Sequence, residues 1–360
     1  MKILVIHATA GAGHKKAAEA IFHGLQAAGG HDARLVDALD YTNPFFKITY
    51  PGTYTFLVTK VPGLWGMFFE VLNLPLLRPL VRFVRRIYNG FNAGRLQRFL
   101  IDEQFDCIIT TQFLSAEVSA YLKRSGQIQS KVICVVTDFD VHSIWVNEGI
   151  DLYTGAAEYT KEKLIALGVA PQNAFVTGIP TDAVFSRPEN TATLKQKLGL
   201  KENNFTVLLA TGSFGMGPIE ELIDRLTTVQ VVVVCGHNKD LFGRLTTSAG
   251  SHAHIFALVN NMHELMSVSD VMVTKPGGLS IAEALVKNLP MIFFSAIPGQ
   301  ETNNIAVLKK SGAAQDQMSI EKIVQTIEQW RSSPDELQRM RQHLTSLAKP
   351  NAVNDIIRLI

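Results

Sequence analysis

The chain has 360 residues, of which 47% are hydrophobic and 18% charged, and its formal net charge is +2. This length allows two domains with separate cores, and the composition is that of a globular protein rather than a disordered one. A charge so close to zero gives no global argument for binding nucleic acid. The N-terminal apolar run is too short for a secretory signal, and no apolar run reaches the length of a membrane span. We therefore expect a cytoplasmic protein.

The first segment predicts a strand, a loop of small residues and a helix. Residues 3–6 are continuously apolar, residues 8–13 are small, and residues 14–25 carry apolar side chains at helical spacing. Later apolar runs predict parallel strands at 107–109, 132–136 and 174–176. The pattern restarts with predicted strands at 205–210, 229–234, 255–258, 271–273 and 291–294. The sequence thus predicts an α/β fold of two doubly wound, Rossmann-like domains facing across a cleft.

The expected domains are residues 1–180 and residues 181–345. The segment 178–190 contains Gly178, Pro180 and Pro188 and is the best candidate linker. The C-terminal helix, at about 346–360, caps the second domain or packs back on the first. Paired domains of this type usually bind ligands in the cleft, at the carboxyl ends of the strands.

Two small-residue loops each precede a helix. The first is Ala10-Gly11-Ala12-Gly13-His14, and the second is Thr211-Gly212-Ser213-Phe214-Gly215-Met216-Gly217-Pro218. A helix N-terminus keeps an imidazole neutral, so His14 is either a general base or a residue that merely caps the helix. The second loop is either an anion cradle for a diphosphate or an ordinary strand-to-helix turn.

The densest signal lies near the C-terminus. It reads Thr274-Lys275-Pro276-Gly277-Gly278-Leu279-Ser280-Ile281-Ala282-Glu283, and Pro298-Gly299-Gln300-Glu301-Thr302-Asn303-Asn304 follows it. A helix is expected to begin near Ser280, with Glu283 completing a capping box. Glu301 has no comparable local task, and its carboxylate could accept two hydrogen bonds from a ribose.

These residues resemble the donor-binding segment of the monogalactosyldiacylglycerol synthase and processive diacylglycerol glucosyltransferase family. The family consists of inverting glycosyltransferases of the two-domain GT-B fold, and it is related to the glucosaminyltransferase that completes the peptidoglycan lipid precursor. The resemblance covers essentially the whole chain. It includes His14, Val136-Thr137-Asp138-Phe139-Asp140-Val141-His142 with Trp145, Val176-Thr177-Gly178-Ile179-Pro180, and Gly215-Met216-Gly217-Pro218.

The resemblance implies a role for each matching position. His14 is the expected catalytic base, which deprotonates a glycerol hydroxyl, and Gly13 lies beside it on the acceptor side. The donor is a UDP-hexose, no cofactor is needed, and no metal is expected because backbone amides stabilise the leaving diphosphate. The expected donor-binding residues are Gly215, Gly217, Lys275, Gly277, Gly278, Leu279, Glu283, Gln300, Glu301 and Asn304.

Two positions depart from the family pattern. Ala12 stands where another glycine is usual, and the second loop begins with Thr211-Gly212-Ser213-Phe214 where a start richer in glycine is common. Alanine is small enough that we expect a modest effect. Phe214 is expected to narrow the cleft and alter the choice of donor or acceptor.

A segment without acidic residues, 71–101, mixes arginines with apolar side chains. Such a surface suits an anionic membrane, with diacylglycerol as the acceptor. A solvated face on core helices and a nucleic-acid patch are the alternatives, and the near-neutral charge counts against nucleic acid. The arginines assigned to the acceptor or membrane side are Arg78, Arg82, Arg85 and Arg86, and His142 and Trp145 either line the acceptor side or are structural.

The expected activity is transfer of galactose or glucose from a UDP-sugar to diacylglycerol, peripherally at the inner face of the cell membrane. Another polyprenyl or sterol-like lipid acceptor is an alternative, as is a nucleotide-sugar-binding protein without turnover. An epimerase would leave the arginine-rich segment without a task. Cys107, Cys134 and Cys235 lie far apart in apolar runs, which predicts buried thiols rather than a zinc or redox site. The sequence does not determine the sugar, the number of sugars added or the oligomeric state.

Overall fold

The computed structural model describes residues 1–9, 11–212, 215, 217–294, 296–314 and 319–360. Ala10, Ser213, Phe214 and Met216, which belong to the two small-residue loops, lie outside the described residues. The strands are β1 (Lys2–His7), β2 (Asp32–Asp37), β3 (Cys107–Thr110), β4 (Lys131–Val135), β5 (Leu152–Gly155), β6 (Ala174–Val176), β7 (Thr206–Ala210), β8 (Gln230–Val234), β9 (Ala253–Phe256), β10 (Val271–Thr274) and β11 (Met291–Phe293).

The helices alternate with these strands through most of the chain. They are α1 (Ala12–Ala28), α2 (Pro44–Lys60), α3 (Pro62–Asn73), α4 (Arg78–Asn92), α5 (Gly94–Glu103), α6 (Phe113–Arg124), α7 (Glu158–Ala166), α8 (Thr191–Lys197), α9 (Ile219–Arg225), α10 (Lys239–Ser248), α11 (Met262–Ser267), α12 (Gly278–Val286), α13 (Gln300–Lys310), α14 (Ile320–Ser332), α15 (Pro334–Leu347) and α16 (Ala352–Ile357). Short 3₁₀ helices, among them Ser143–Trp145, occur in the connections.

The chain divides into two compact units. The first unit is Met1–Ala183, Ile297–Asn303 and Asn351–Ile360, and the second is Val184–Ala296 and Asn304–Pro350. The observed division lies three residues beyond the expected boundary at 180/181. Residues 297–303 differ from the expectation, since they belong to the first unit. The reason is local: Gln300 and Asn303 donate hydrogen bonds to carboxylates in the segment that follows β4.

The first unit contains a parallel sheet in the order β2-β1-β3-β4-β5-β6. Successive side chains of β1 alternate between two cores: Val5 packs with Ile21 of α1, whereas Leu4 packs with Leu96 and Leu100 of α5. The strand order reverses between β1 and β3, so the carboxyl ends of these two strands flank the point at which α/β sheets usually bind ligands.

The second unit contains a parallel sheet in the order β11-β10-β7-β8-β9. Its order reverses between β7 and β10, which pair with Val207 opposite Val271 and Ala210 opposite Thr274. Both small-residue segments predicted to bind the donor, which begin at Thr211 and at Lys275, follow these two strands directly. The two parallel sheets confirm the predicted fold class.

The C-terminal helix belongs to the first unit. Residues 334–347 form α15 in the second unit, so the returning segment begins at Asn351, later than the expected 346. Gly24 of α1 leaves room for α16, because a Cβ on Gly24 would lie 2.3 Å from Cγ1 of Val353. Ile356 is fully buried in the core that includes Ile21 and Leu25.

Candidate active site

In the second unit, the ends of β7 and β10 are fastened to each other. The Thr274 hydroxyl donates a hydrogen bond to the Ala210 carbonyl at 2.7 Å, and both residues are buried. The chain then leaves β7 into the second small-residue loop and leaves β10 into Lys275-Pro276-Gly277. Because the two strands are neighbours, the two predicted donor loops start side by side.

The start of α12 offers backbone amides to an anion. The helix begins at Gly278, with Gly277 as its N-cap. The amide of Gly277 donates to the Lys275 carbonyl, whereas the amides of Gly278, Leu279 and Ser280 donate to no described residue. The half-buried Lys275 ammonium also makes no ion pair with a described carboxylate. Three amides and one cation therefore favour a negatively charged group here.

The expected capping box at Ser280 and Glu283 is wrong. Ser280 is the third residue of α12 rather than its N-cap, and no side chain caps the helix. Gly277 occupies the N-cap position instead, with an extended backbone. Glu283 is half-buried within the helix.

Gly215 and Gly217 are required by the backbone of their loop. Gly215 has φ +53°, and a Cβ there would lie 2.3 Å from the carbonyl oxygen of Cys235. Gly217 has φ +128°, and a Cβ there would lie 2.3 Å from the ring of Phe294. By contrast, Gly277 has φ −72°, and a Cβ there would meet no atom within 4 Å, so its surface is open.

These three glycines give a testable contrast. We expect Gly215→Ala and Gly217→Ala each to lower the free energy of unfolding by roughly 2–4 kcal/mol, because each combines a positive φ with a steric clash. Gly277→Ala should lower it by no more than about 1 kcal/mol, the cost of placing alanine rather than glycine at an N-cap. Urea denaturation of the three variants measures the difference. Equal stability of all three would refute the structural account of Gly215 and Gly217.

Three of the expected donor-binding residues, Gln300, Glu301 and Asn304, lie along the first turns of α13. Asn304 is fully buried, and its Nδ2 donates to the Pro276 carbonyl at 3.0 Å, so it holds the turn before α12. Glu301 accepts a hydrogen bond from the Ile297 amide at 2.7 Å. The view that Glu301 lacks a local task is therefore wrong, since its carboxylate closes the turn that precedes α13. Gln300 bonds to Asp138.

In the first unit, His14 lies at the reversal point of the sheet. It is the third residue of α1, and the Thr111 hydroxyl, just beyond β3, donates to its carbonyl at 2.9 Å. Its Nδ1 lies 2.9 Å from the hydroxyl of Thr137, just beyond β4. Burial lowers the pKa of His14 to about 4. A hydrogen bond with the Thr111 backbone acts in the opposite direction but has the smaller effect. The imidazole is consequently neutral at physiological pH. Gly13 precedes it in the first turn of α1.

His142 and Trp145 pack beneath this region. Nε2 of His142 lies 2.9 Å from the Phe69 carbonyl, and its Nδ1 accepts from the Ile144 amide at 3.1 Å. Both ring nitrogens are therefore engaged in one neutral tautomer, and burial lowers the pKa of His142 to about 4. Trp145 is buried, and its ring lies 6.0 Å from that of His14. His142 thus fixes α3 to the segment after β4, and Trp145 supports His14.

Helix α4 is amphipathic with its apolar face turned to solvent. Its exposed apolar side chains recur at helical spacing, and the most exposed of them is Phe91, at 84%. Two of its polar residues, Arg85 and Asn89, face inward instead. We call the outward residues the α4 stripe: Leu80, Phe83, Val84, Ile87, Tyr88 and Phe91.

Helices α2 and α3 extend the same surface. Phe45 and Ile48 of α2 and Met67 of α3 are each more than half exposed. Among the described residues, the large apolar side chains exposed outside the range 45–91 are Met1 and Leu258. No single described helix is long and apolar enough to cross a membrane. The helices Pro44–Val58 and Pro62–Asn73 reach that length and composition only when taken as a pair, and the pair is bent by 109°. An apolar surface so concentrated marks an interaction site.

The four arginines assigned to the membrane are not equivalent. Arg85 is not available to a membrane, because it forms a largely buried ion pair with Glu117 and donates to the Ile144 carbonyl. Arg78 is half-buried. Arg82 and Arg86 are exposed and make no ion pair with a described carboxylate. The charge of the surface beside the α4 stripe is therefore carried by Arg82 and Arg86.

Sequence reasoning gave no role to Thr137 or to Asp138. Thr137 contacts the proposed base, and Asp138 contacts Gln300. Their signal was their position, because both lie within three residues of the end of β4, at the carboxyl edge of the sheet. In the part of the chain that the structure describes, no group of three or more His, Cys, Asp or Glu side chains is arranged to hold a metal ion.

Comparison with known proteins matches both halves of the chain. A family model described as monogalactosyldiacylglycerol (MGDG) synthase matches residues 14–181. A second, described as glycosyltransferase family 28 C-terminal domain, matches residues 195–357. A Bacillus pumilus protein named processive diacylglycerol beta-glucosyltransferase is 30% identical over 354 residues, which cover 96% of this chain and 91% of the relative.

Solved structures share the fold. Acinetobacter baumannii MurG has a TM-score of 0.62 at 15% identity, covering 100% of this chain and 99% of its own. The UDP-GlcNAc 2-epimerase of Neisseria meningitidis, bound to UDP-GlcNAc, has a TM-score of 0.63 at 15% identity with the same coverage. MurG and an epimerase thus resemble this chain about equally, so the likeness shows the fold and not the chemistry.

Proposed function

Because this chain belongs to the family of monogalactosyldiacylglycerol synthases and processive diacylglycerol glucosyltransferases, we propose that it transfers a hexose from a UDP-sugar to diacylglycerol. The product is a glycolipid, and the anomeric configuration is inverted in a single displacement. The observation that carries the proposal is His14, a neutral imidazole held at the reversal point of the first sheet by Thr137.

His14 is the proposed general base. When the Thr137 hydroxyl accepts from Nδ1–H, the lone pair on Nε2 remains to take the proton of the acceptor hydroxyl. The oxygen then attacks the anomeric carbon as the bond to the diphosphate breaks. Trp145 packs beside the imidazole, which limits its movement.

The donor is assigned to the second unit. The amides of Gly278, Leu279 and Ser280, with Lys275, would stabilise the negative charge that develops on the leaving diphosphate. Gly215 and Gly217 leave two positions of the neighbouring loop without a side chain. We propose that these groups need no metal ion, because the dipole and amides of α12 supply the required charge.

The acceptor is assigned to a lipid surface. The α4 stripe, with the exposed faces of α2 and α3, would insert among lipid chains, and Arg82 and Arg86 would contact anionic head groups. Complete burial of a large apolar side chain contributes about 1.5–3 kcal/mol, and each arginine near an anionic surface about 1 kcal/mol. Such terms support reversible attachment of the enzyme to the membrane from which it takes diacylglycerol.

A substrate panel tests this assignment. Purified protein would be incubated in EDTA with radiolabelled UDP-glucose or UDP-galactose and with vesicles containing diacylglycerol, a polyprenyl alcohol or a sterol. We expect labelled product from diacylglycerol with at least one of the two donors. Product from only a polyprenyl alcohol or sterol would refute the acceptor, and activity restored only by added Mg²⁺ would refute the metal-free leaving-group site.

A further inference from the structure

The first turn of α13 is tied to the segment after β4 by two amide–carboxylate pairs. Nε2 of Gln300 lies 3.2 and 3.1 Å from the two carboxylate oxygens of Asp138. Nδ2 of Asn303 donates to Asp140 at 3.0 Å. All four residues belong to the first unit. Asp138 is only 8% exposed, so its contact with Gln300 is shielded from water.

The contact fixes which end of the Gln300 amide faces outward. A carboxylate only accepts hydrogen bonds, so it binds the NH₂ group of an amide and repels the carbonyl oxygen. The Gln300 oxygen Oε1 is therefore directed away from Asp138. No described residue donates a hydrogen bond to Oε1. This orientation leaves Gln300 with an acceptor to offer to a ligand.

The backbone before Gln300 is held as closely as its side chain. A Cβ on Gly299, which has φ +83°, would lie 2.6 Å from the Phe69 ring of α3. A Cβ on Gly66 of α3 would likewise lie 2.6 Å from the Cβ of Pro298. The turn therefore packs directly on α3, which leaves little freedom for the first residue of α13. Preorganisation of this kind is what a specificity contact requires.

We propose that Asp138 is a positioning residue that directs the Gln300 carbonyl oxygen toward a hydroxyl group of the donor hexose. The proposal rests on the proposed function, in which the donor is a UDP-hexose, and on the expectation that Gln300 is a donor-binding residue. It adds the polarity of the contact: Gln300 accepts, and a sugar hydroxyl donates. A donor whose hydroxyl is absent or inverted at this contact leaves the amide oxygen unpaired and loses affinity.

The test separates the sugar from the nucleotide. In Asp138→Asn, the amide that replaces the carboxylate can either donate or accept a hydrogen bond. The side-chain amide of Gln300 can then face it in either of two orientations. We expect the KM for the UDP-hexose to rise about three- to tenfold, because the variant loses both the charge-assisted hydrogen bond to the Gln300 NH₂ group and the preference for one orientation of its amide. The Kd for UDP alone should stay within about twofold, because UDP lacks the hexose. Gln300→Ala should give the same pattern, and the double variant should lose no more than either single variant.

Asp140→Asn is the matched control. Asp140 holds Asn303 and pairs with Lys163 but does not contact Gln300, so its variant should keep the KM for the UDP-hexose within about twofold. Thermal melting checks each variant's fold. If Asp138→Asn does not fold, Gln300→Ala still tests the proposal. Wild-type affinity of Gln300→Ala for the UDP-hexose would overturn it.

Three other outcomes also overturn the proposal. They are an unchanged KM in Asp138→Asn, equal loss of UDP and UDP-hexose affinity, and a lower KM, which would mean that the donor must break the Asp138 contact. Failure of the proposed function looks different, because wild-type protein would then make no glycolipid. Normal wild-type turnover together with any of the three outcomes contradicts the role of Asp138 alone.

Discussion

Replacing His14 with alanine should reduce hexose transfer by about 10²–10⁴-fold, because the acceptor hydroxyl then loses its general base. The variant should still bind UDP, since the amides assigned to the diphosphate belong to α12. Initial rates at saturating donor, together with calorimetric titration of UDP, measure the two effects separately. A folded His14→Ala protein with wild-type activity would exclude this residue as the base.

His23 offers a matched control on the same helix. Its side chain is 58% exposed and pairs with Asp182, and no contact joins it to Thr137. His23→Ala should keep transfer within about twofold, since exposed substitutions change little. A comparable loss in both variants would indicate damage to α1 rather than the loss of a base.

The same assignment fixes the pH dependence. Burial lowers the pKa of His14 to about 4, so the active, neutral form is fully populated above about pH 6. We expect the rate limited by this group to be flat between about pH 6 and 8, and to fall only as the pH approaches about 4. An unburied histidine would instead lose half of its neutral form near pH 6.5. A half-maximal rate at that pH would contradict the buried position of the base.

Replacing three residues of the α4 stripe with serine should abolish binding to vesicles. Leu80, Phe83 and Phe91 are 59%, 61% and 84% exposed, so they stabilise the folded chain little but can insert into a lipid surface. Losing about 1–2 kcal/mol for each partial insertion gives more than about a hundredfold weaker partitioning. Vesicle sedimentation measures this, and the melting temperature should stay nearly constant.

Leu258→Ser is the control for the α4 stripe. Leu258 is also 59% exposed but lies in the second unit, outside the apolar surface of residues 45–91. This variant should sediment with vesicles like the wild type. The electrostatic contribution is tested with vesicles that lack anionic lipid. Wild-type protein should bind these vesicles more weakly than it binds anionic ones. The Arg82→Ala/Arg86→Ala variant should bind the vesicles without anionic lipid as well as the wild type does. Equal binding of all proteins to all vesicles would contradict the membrane account.

Much of the fold could be predicted from local sequence patterns. Continuous apolar runs predicted most buried strands, because parallel strands covered on both faces carry few polar residues. The strand β2 escaped prediction because it lies at the sheet edge and half of its residues, Asp32, Arg34 and Asp37, are charged. The strand β5 has only four residues and ends in glycine. Short or edge strands carry too weak a pattern to stand out.

The direction of an amphipathic helix was not predictable from its pattern. The spacing of the α4 stripe shows that these residues share a face, but a periodic pattern does not say whether that face meets the core or the solvent. The decision comes from distant partners, because Glu117 of α6 draws Arg85 inward. The same holds for Gln300, whose carboxylate partner, Asp138, lies far away in sequence.

The sharpest test of the whole account is a single incubation of wild-type protein and His14→Ala with radiolabelled UDP-glucose or UDP-galactose and vesicles containing diacylglycerol. We predict a labelled glycolipid from the wild type with at least one donor, and at most a trace from the variant. Tight UDP-sugar binding by the wild type without any labelled lipid would contradict the account, and would identify a nucleotide-sugar-binding protein without transfer activity.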